Sequence, residues 1–240
     1  MTALPLSVQQ RWPARHPDRL QLYSLPTPNG VKVSIFLEET GMPYEAHRVE
    51  FERQDQFSQE FLATFPNNKI PAILDPHGPD GQPLAVFESG AILMYLADKL
   101  AADPAYTGPV LLPASGPQRY QAMQWLMWQM GGMGPMFGQL GFFHFFAGKD
   151  IEDKRPRDRF ATESARLLRV LDQHLQGRNW MLGEAYSVAD IAIFPWVRNL
   201  IHRYGAGELV GWDQYPQVER VLQTFLARPA VQRGLTLPAA

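Results

Sequence analysis

A short apolar strand that begins at a proline constrains this chain most. The stretch from Asn67 to Asp75 predicts a buried strand, and Pro71 stands near its start. Proline has no N–H to give to a neighbouring strand, so it is confined to strand starts, sheet edges and bulges. Two interpretations stay open. Pro71 can mark an edge strand and discourage aggregation. It can instead form a cis-proline corner that presents the backbone of Ile70 to a peptide-like ligand.

The elements around this strand predict a small mixed sheet within a domain of residues 20–102. Apolar runs and turn signals indicate the order β-α-β-α-β-β-α. The strands are predicted at residues 20–24, 44–50, 67–75 and 83–87. The helices are predicted from residue 31 up to Gly41, which ends the first of them, and at 58–65 and 89–100. Two βαβ-type pieces and a hairpin predict a mixed four-stranded sheet with helices on its faces.

The second half of the chain predicts an all-α domain. Residues 103–117 are rich in proline and predict a linker, and no strand pattern follows them. Apolar residues at helical spacing then predict helices over residues 118–232. Ser187 and Asp190 match a capping box at the start of one of them. Residues 1–19 predict an extended or mobile arm, and residues 233–240 a tail.

The lack of cysteine limits the chemistry of the chain. Disulfides, thiolate nucleophiles and zinc–cysteine sites are excluded, so thiol chemistry requires a thiol brought in by a ligand. The six histidines show no paired metal-ligand spacing, and we expect no metal. A net charge of −2 without a basic stripe argues against a nucleic-acid partner.

An uncharged run from residue 120 to residue 148 raises the question of a membrane span. Glutamines, a cluster of glycines and Pro135 interrupt the run, so we expect a buried helix pair and no membrane partner. The N-terminus lacks a secretory signature, and we expect a cytoplasmic protein.

Thr27 and Asn29 lie in the turn that opens the first long helix. The amides and dipole of a helix N-terminus favour an anion, and they lower the pKa of a thiol placed there. The Thr27 hydroxyl and the Asn29 amide can each donate a hydrogen bond to sulfur. Simple N-capping of the helix by either residue is the alternative.

Glu88 and Ser89 lie at the start of the helix that follows the hairpin. The Ser89 hydroxyl and amide suit a carboxylate and Glu88 suits an ammonium group, so together they match an amino-acid head group. Helix capping by Ser89, with Glu88 complementing the helix dipole, is the alternative. Gln56 and Lys69 are polar candidates on the intervening loops, for which solvated surface is the simpler interpretation.

An aromatic and methionine-rich segment supplies candidates for an apolar substrate pocket. Trp128, Met133 and Phe137 belong to it, and such side chains line many ligand cavities. The alternative is a place in the hydrophobic core or in a subunit interface.

Four motifs, in this order and at these spacings, resemble the glutathione transferase superfamily. They are Tyr23-Ser-Leu-Pro-Thr-Pro-Asn-Gly30, Phe65-Pro-Asn-Asn-Lys-Ile-Pro-Ala72, Phe87-Glu-Ser-Gly-Ala-Ile92 and Tyr186-Ser-Val-Ala-Asp-Ile191. The similarity spans residues 20–232. Within the superfamily the chain most resembles the bacterial Nu class of glutathione-dependent disulfide-bond oxidoreductases, a class also matched by residues 125–137.

The resemblance implies a glutathione transferase fold, with a thioredoxin-like first domain and an all-α second domain, and a homodimer. It also implies that the Ile70–Pro71 bond is cis and that Ile70 pairs with the cysteinyl backbone of glutathione. Glu88 and Ser89 would hold the γ-glutamyl head of the tripeptide.

Further roles follow from the same resemblance. Thr27 and Asn29 match the residues that address the glutathione sulfur, and Gln56 matches a polar contact with the tripeptide. Lys69 is grouped with the glutathione-binding residues. Some members also use an arginine of the helical domain, for which Arg166 is the candidate, with Arg159 as an alternative. Tyr23 is not expected to be catalytic, because its position predicts a side chain that points into the core.

Three functions stay open. The first is a disulfide reductase that uses the thiols of bound glutathione, with room for two molecules per site. The second is a glutathione S-transferase or peroxidase that acts on apolar electrophiles or hydroperoxides. The third is a non-catalytic regulatory module that binds glutathione.

Overall fold

The computed structural model describes residues 7–239 and forms two compact units. The first unit contains the residues up to Pro109 together with those from Pro229 onwards, and the second contains Val110–Arg228.

The first unit is built on the mixed four-stranded sheet that the sequence predicts. Its strands are β1 (Leu20–Ser24), β2 (Tyr44–Arg48), β3 (Ala72–Asp75) and β4 (Leu84–Phe87). They are arranged in the order β2-β1-β3-β4. β1 runs parallel to β2 and antiparallel to β3, and β3 is antiparallel to β4. This is the thioredoxin-like arrangement, and the predicted fold class is confirmed.

Three helices of the first unit follow the strands much as predicted, and one short helix precedes the first strand. They are α1 (Ser7–Arg11), α2 (Gly30–Thr40), α3 (Gln59–Leu62) and α4 (Ser89–Ala101), with a 3-10 turn at Asp55–Phe57. α2 is buried from Gly30 to Leu37. It ends at Gly41, whose φ of 68° is readily adopted by glycine and whose N–H donates to the Leu37 carbonyl at 2.9 Å.

The N-terminal segment differs from the extended or mobile arm that the sequence predicts. Ser7–Arg11 forms α1, and Val8 is fully buried in the core cluster that contains Tyr23. The Trp12 indole donates to the carbonyl of Arg48 at 3.0 Å. These contacts explain the difference, because Val8 and Trp12, four positions apart, together anchor the short helix on the sheet domain. Residues 1–6 lie outside the described residues.

The second unit consists of helices and turns in the part of the chain that the structure describes. The helices are α5 (Pro117–Trp128), α6 (Gly134–His144), α7 (Arg155–His174), α8 (Val188–Arg198), α9 (Gly207–Val210) and α10 (Pro216–Leu226). Between them lie π-helical turns at Gln129–Met133 and Asn199–Arg203 and 3-10 turns at Ala147–Asp150 and Trp212–Gln214. The first π-helical turn joins α5 to α6 without a loop.

A capping box holds the start of α8, as predicted. The Ser187 oxygen accepts from the Ala189 N–H at 3.3 Å, and the Asp190 carboxylate accepts from the Ser187 N–H at 2.9 Å. Asp190 also accepts from the Met181 N–H at 2.8 Å, and it is fully buried. The box therefore fixes both the helix start and the turn that precedes it.

A last helix, α11 (Pro229–Gly234), belongs to the first unit rather than to the second. The Ser34 hydroxyl donates to the Gly234 carbonyl at 2.6 Å, and Arg233 pairs with Glu38. A Cβ on Gly234 would lie 2.7 Å from the Ile35 backbone, so this close approach requires glycine. Residues 229–232, which the sequence assigned to the helical domain, therefore pack in the first unit.

Candidate functional site

One end of the sheet forms a cavity of about 260 Å³ in the first unit. Tyr23 pairs with Ala72 and Ala72 pairs with Phe87, so the C-terminal ends of β1 and β4 meet the start of β3 there. The loops beyond these ends supply the lining residues, which are Asn29, Lys69, Ile70, Pro71, Phe87, Glu88 and Ser89. All of them except Phe87 are candidates from the sequence, although they come from three separate parts of the chain.

The Ile70–Pro71 peptide bond is cis, as the resemblance implied. β3 begins directly after Pro71, at Ala72. Ile70 lies in the cavity wall with 9% of its surface exposed. The strand is an inner one, between β1 and β4, so the alternative of an edge strand is wrong.

The turn before α2 resolves the question of capping. The Thr27 hydroxyl oxygen accepts from the Gly30 N–H at 3.1 Å. The Asn29 side-chain oxygen accepts from the Lys32 ammonium at 2.8 Å, so this amide does not cap the helix. A hydroxyl that accepts one bond can still donate one, and an amide has a separate N–H₂ group. Thr27 and Asn29 thus place a hydroxyl and an amide group at a helix N-terminus.

Gly30 makes the close turn possible. A Cβ at this position would lie 2.0 Å from the carbonyl oxygen of Leu25, a distance that no side chain can occupy. The absence of a side chain brings the start of α2 directly against the end of β1. Asn29 is placed at the cavity by this contact.

Lys32, which the sequence pattern did not single out, contacts two residues of the cavity. It is fully buried, and its Nζ lies 2.8 Å from the Asn29 oxygen and 3.4 Å from the Ser89 hydroxyl oxygen. Burial lowers its pKa well below the ordinary value, although the negative charge of Glu88 acts in the opposite direction. A signal was present, since Lys32 is the one cation within the apolar run from Val31 to Leu37.

Glu88 and Ser89 adopt positions different from those predicted for capping. α4 begins at Ser89, and Glu88 is the residue before it, with a φ of 70°. A positive φ is unusual for a residue with a side chain, and such outliers concentrate at functional sites. The Glu88 carboxylate accepts from the Asn67 amide at 3.2 Å, whereas Ser89 is buried beside Lys32.

Gln56 and Lys69 differ in their surroundings. Lys69 is exposed and lines the cavity. Gln56 belongs to the 3-10 turn and is half-buried. Its Oε1 atom is buried and has no hydrogen-bond partner among residues 7–239, which leaves an acceptor for a ligand that carries an N–H.

The three residues of the predicted apolar pocket differ in exposure. Trp128 is half-buried and packs edge-to-face on Trp125, with ring centroids 5.1 Å apart. Met133 and Phe137 are fully buried, so these two side chains offer no surface to a substrate. The prediction is wrong for both, because large apolar residues at helical spacing here form core.

Arg166 lies on α7 and forms an ion pair with Glu163, with an N–O distance of 2.7 Å. About half of its side chain is exposed. Its contact with glutathione stays a prediction.

Tyr23 is fully buried, as expected from its position in β1. Its ring stacks on His47 at a centroid distance of 4.9 Å and meets Trp12 edge-on at 5.9 Å. Burial raises the pKa of its hydroxyl above the ordinary value. Within the described part of the chain, no group hydrogen-bonds to that hydroxyl. Tyr23 is therefore a core residue.

We expect the substitution Tyr23→Phe to leave glutathione-dependent activity unchanged. It should also raise the free energy of unfolding by about 1 kcal/mol, because a buried hydroxyl without a partner costs about that much. Urea unfolding and steady-state kinetics test the two parts. A large loss of turnover in a Tyr23→Phe variant of normal stability would show that Tyr23 takes part in catalysis.

Two family models cover most of the chain. The N-terminal domain of glutathione S-transferases matches residues 18–98, and the C-terminal domain matches residues 136–229. The chain belongs to the glutathione S-transferase family.

This transferase is similar to several proteins with known names or structures. It is 41% identical to the disulfide-bond oxidoreductase YghU of Escherichia coli, over 92% of this chain and 74% of that protein. A glutathione transferase family member from Pseudomonas fluorescens, solved with two glutathione bound, is 63% identical, with a TM-score of 0.93. The match covers 98% of this chain and 100% of that chain. A glutathione transferase from Pseudomonas putida, solved with one glutathione disulfide bound per subunit, is 65% identical, with a TM-score of 0.91 and 97% coverage of both chains.

Metal-ligand clusters and membrane-spanning helices are both absent from the part of the chain that the structure describes. Among residues 7–239, no group of three or more His, Asp or Glu side chains is arranged to hold a metal ion. No helix in that range is both long and apolar enough to cross a membrane.

Proposed function

We propose that this glutathione S-transferase is a glutathione-dependent disulfide-bond oxidoreductase. The observation that carries the proposal is the cavity, which combines donors at a helix N-terminus with the Ile70 backbone and the Glu88–Ser89 pair in a chain without cysteine. A tripeptide thiol would supply the reactive sulfur that the protein lacks. The name of the E. coli relative and the glutathione disulfide in the P. putida structure support the choice of reaction.

The thiol end of glutathione is assigned to Thr27 and Asn29. Their hydroxyl and amide groups donate to the sulfur, and the N-terminus of α2 favours negative charge there. Together these interactions lower the pKa of the thiol from about 8.5, so that more of it is present as the nucleophilic thiolate at neutral pH.

The remainder of the tripeptide is assigned to the rest of the cavity. The Ile70 backbone pairs with the cysteinyl residue of glutathione in the manner of an added strand. Ser89 holds the γ-glutamyl carboxylate, and Glu88 holds the γ-glutamyl ammonium group. Lys69 and Gln56 supply further polar contacts.

The reaction consists of two thiol–disulfide exchanges. The thiolate of bound glutathione attacks one sulfur of the substrate disulfide. A mixed disulfide forms, and the first substrate thiolate leaves. A second glutathione thiolate then attacks the glutathione sulfur of the mixed disulfide, which releases the second substrate thiolate and glutathione disulfide. Two glutathiones are oxidised for each disulfide reduced, and the P. fluorescens relative binds two glutathione.

A comparison of substrate classes tests the proposal. Initial rates with glutathione are measured on hydroxyethyl disulfide, an aromatic halide and an organic hydroperoxide. We expect the disulfide rate to dominate. Dominant conjugation or peroxide reduction would replace the proposal with an S-transferase or peroxidase that acts on apolar substrates. Calorimetric binding of glutathione without turnover of any substrate would indicate a regulatory module.

Assembly as a homodimer is a second part of the proposal, and it rests on the family resemblance. Light scattering coupled to size-exclusion chromatography tests it, since a dimer has twice the 27.2 kDa mass of this chain. A monomer mass over the range of concentrations used for kinetics would contradict it.

A further inference from the structure

Lys32 joins two parts of the cavity that are far apart in the sequence. Asn29 lies before α2 and Ser89 begins α4, yet one buried Nζ atom is 2.8 Å from the Asn29 oxygen and 3.4 Å from the Ser89 oxygen. The lysine side chain is fully buried. Burial of a cation is costly. We therefore expect the buried Lys32 side chain to have a role beyond packing.

The chemistry of lysine decides which atoms can face it. An ammonium group only donates hydrogen bonds, so each neighbour must turn an acceptor towards it. Asn29 does so with its carbonyl oxygen, so its N–H₂ group is turned away from Lys32. Ser89 does so with its hydroxyl oxygen, so its hydrogen is turned away as well. Both residues line the cavity, and Lys32 therefore fixes the direction in which each of them donates.

We propose that Lys32 is a positioning residue that holds Asn29 and Ser89 in the donating orientation required by two of the anionic groups of glutathione. The inference rests on the proposed function, because these groups are the thiolate assigned to Asn29 and the γ-glutamyl carboxylate assigned to Ser89. Lys32 itself touches neither of them in this scheme.

The protonated form of Lys32 is the one that orients both partners, because an ammonium group can only donate. Burial lowers the pKa of Lys32, and the carboxylate of Glu88 is the charged group that opposes this shift and favours the ammonium form.

The variant Lys32→Met removes the donors and keeps an unbranched side chain in the buried space. We expect the affinity for glutathione to fall about tenfold, and the pKa of the bound thiol to rise by about one unit, because each change corresponds to one lost oriented hydrogen bond. Calorimetry gives the affinity. An ultraviolet titration of the thiolate absorbance gives the pKa. Neither measurement requires turnover, so failure of the proposed reaction and failure of this inference are separable.

Ser34→Ala is the matched control. Ser34 is buried on the same helix, and its hydroxyl donates to Gly234 rather than to the cavity residues. We expect this variant to lose stability and to keep the glutathione affinity and thiol pKa of the wild type. Equal glutathione affinity and thiol pKa in Lys32→Met, Ser34→Ala and the wild type would overturn the inference.

A double-mutant cycle separates positioning from a general structural effect. With Asn29→Ala already present, Lys32→Met should raise the thiol pKa no further, because the donor that it orients is gone. The same substitution should still weaken glutathione binding through Ser89. Additive effects of the two substitutions on the thiol pKa would show that Lys32 does not act through Asn29.

Asn29→Asp keeps the inference testable if Lys32→Met does not fold. The aspartate retains an acceptor for Lys32 but has no N–H₂ group to offer to sulfur. We expect normal folding, a raised pKa of the bound glutathione thiol and little turnover. A thiol pKa equal to that of the wild type would show that the outward amide donor is not needed, and the inference would fail.

Discussion

Replacement of Asn29 by alanine is expected to lower the turnover of disulfide reduction by about a hundredfold, with a smaller change in KM for glutathione. Removal of one preorganised donor from a developing or stabilised anion typically costs a factor of this size. Asn29 lines the cavity, and its side-chain oxygen is already engaged by Lys32. The substitution therefore removes a group that is oriented for donation.

Steady-state kinetics on hydroxyethyl disulfide at several pH values measure this effect. Because the thiolate would be less stabilised in Asn29→Ala, part of the lost rate should return as the pH is raised towards 8.5, the ordinary pKa of a thiol. Tyr23→Phe serves as the comparison, since Tyr23 lies in the core. If both variants lose the same activity, or if only Tyr23→Phe loses it, the assignment of Asn29 is wrong.

Replacement of Asp190 by alanine is expected to lower the free energy of unfolding by about 4 kcal/mol. Its carboxylate accepts from the Met181 N–H, the Ser187 N–H and the Ser187 hydroxyl at 2.8–2.9 Å, and the side chain is fully buried. Each buried donor left without a partner costs about 1–3 kcal/mol. The loss is large because water cannot replace the missing acceptor.

Urea unfolding at a pH above 7 measures this loss. Burial raises the pKa of the Asp190 carboxyl to about 7, and above that pH the accepting carboxylate is present. Asp158→Ala is the control. Asp158 also lies in the first turn of a helix, but its side chain is mostly exposed and pairs with the neighbouring Arg157, so the expected loss is below about 1 kcal/mol. Similar losses in both variants would contradict the role given to the buried capping box.

Local signals in the sequence were sufficient for much of the sheet and of the capping. Alternating turns and apolar runs located all four strands, and the Ser187–Asp190 spacing located the start of α8, because these features depend on residues close together in the chain. The cavity was partly predictable for the same reason. Asn29, Ile70 and Glu88 each stand beside the end of a predicted element, and the sheet order brings these ends together.

Features that depend on tertiary contacts were missed or misassigned. Lys32 appeared to be an ordinary helix residue, and its role emerges only when α4 places Ser89 beside it. Met133 and Phe137 have the composition of a ligand pocket, but packing within the fold buries them completely. α1 is short and has little periodicity, so only its contacts with the sheet domain define it.

The position of α11 has a consequence for how the protein is made. The first unit includes Pro229–Gly234, and Ala230 and Val231 are buried there. A ribosome therefore completes the whole helical unit before it releases the α11 segment of the unit that carries the cavity. Domains commonly fold in the order of their synthesis. In this chain the face of α2 around Ser34 and Glu38 stays uncovered until residues 229–234 have emerged.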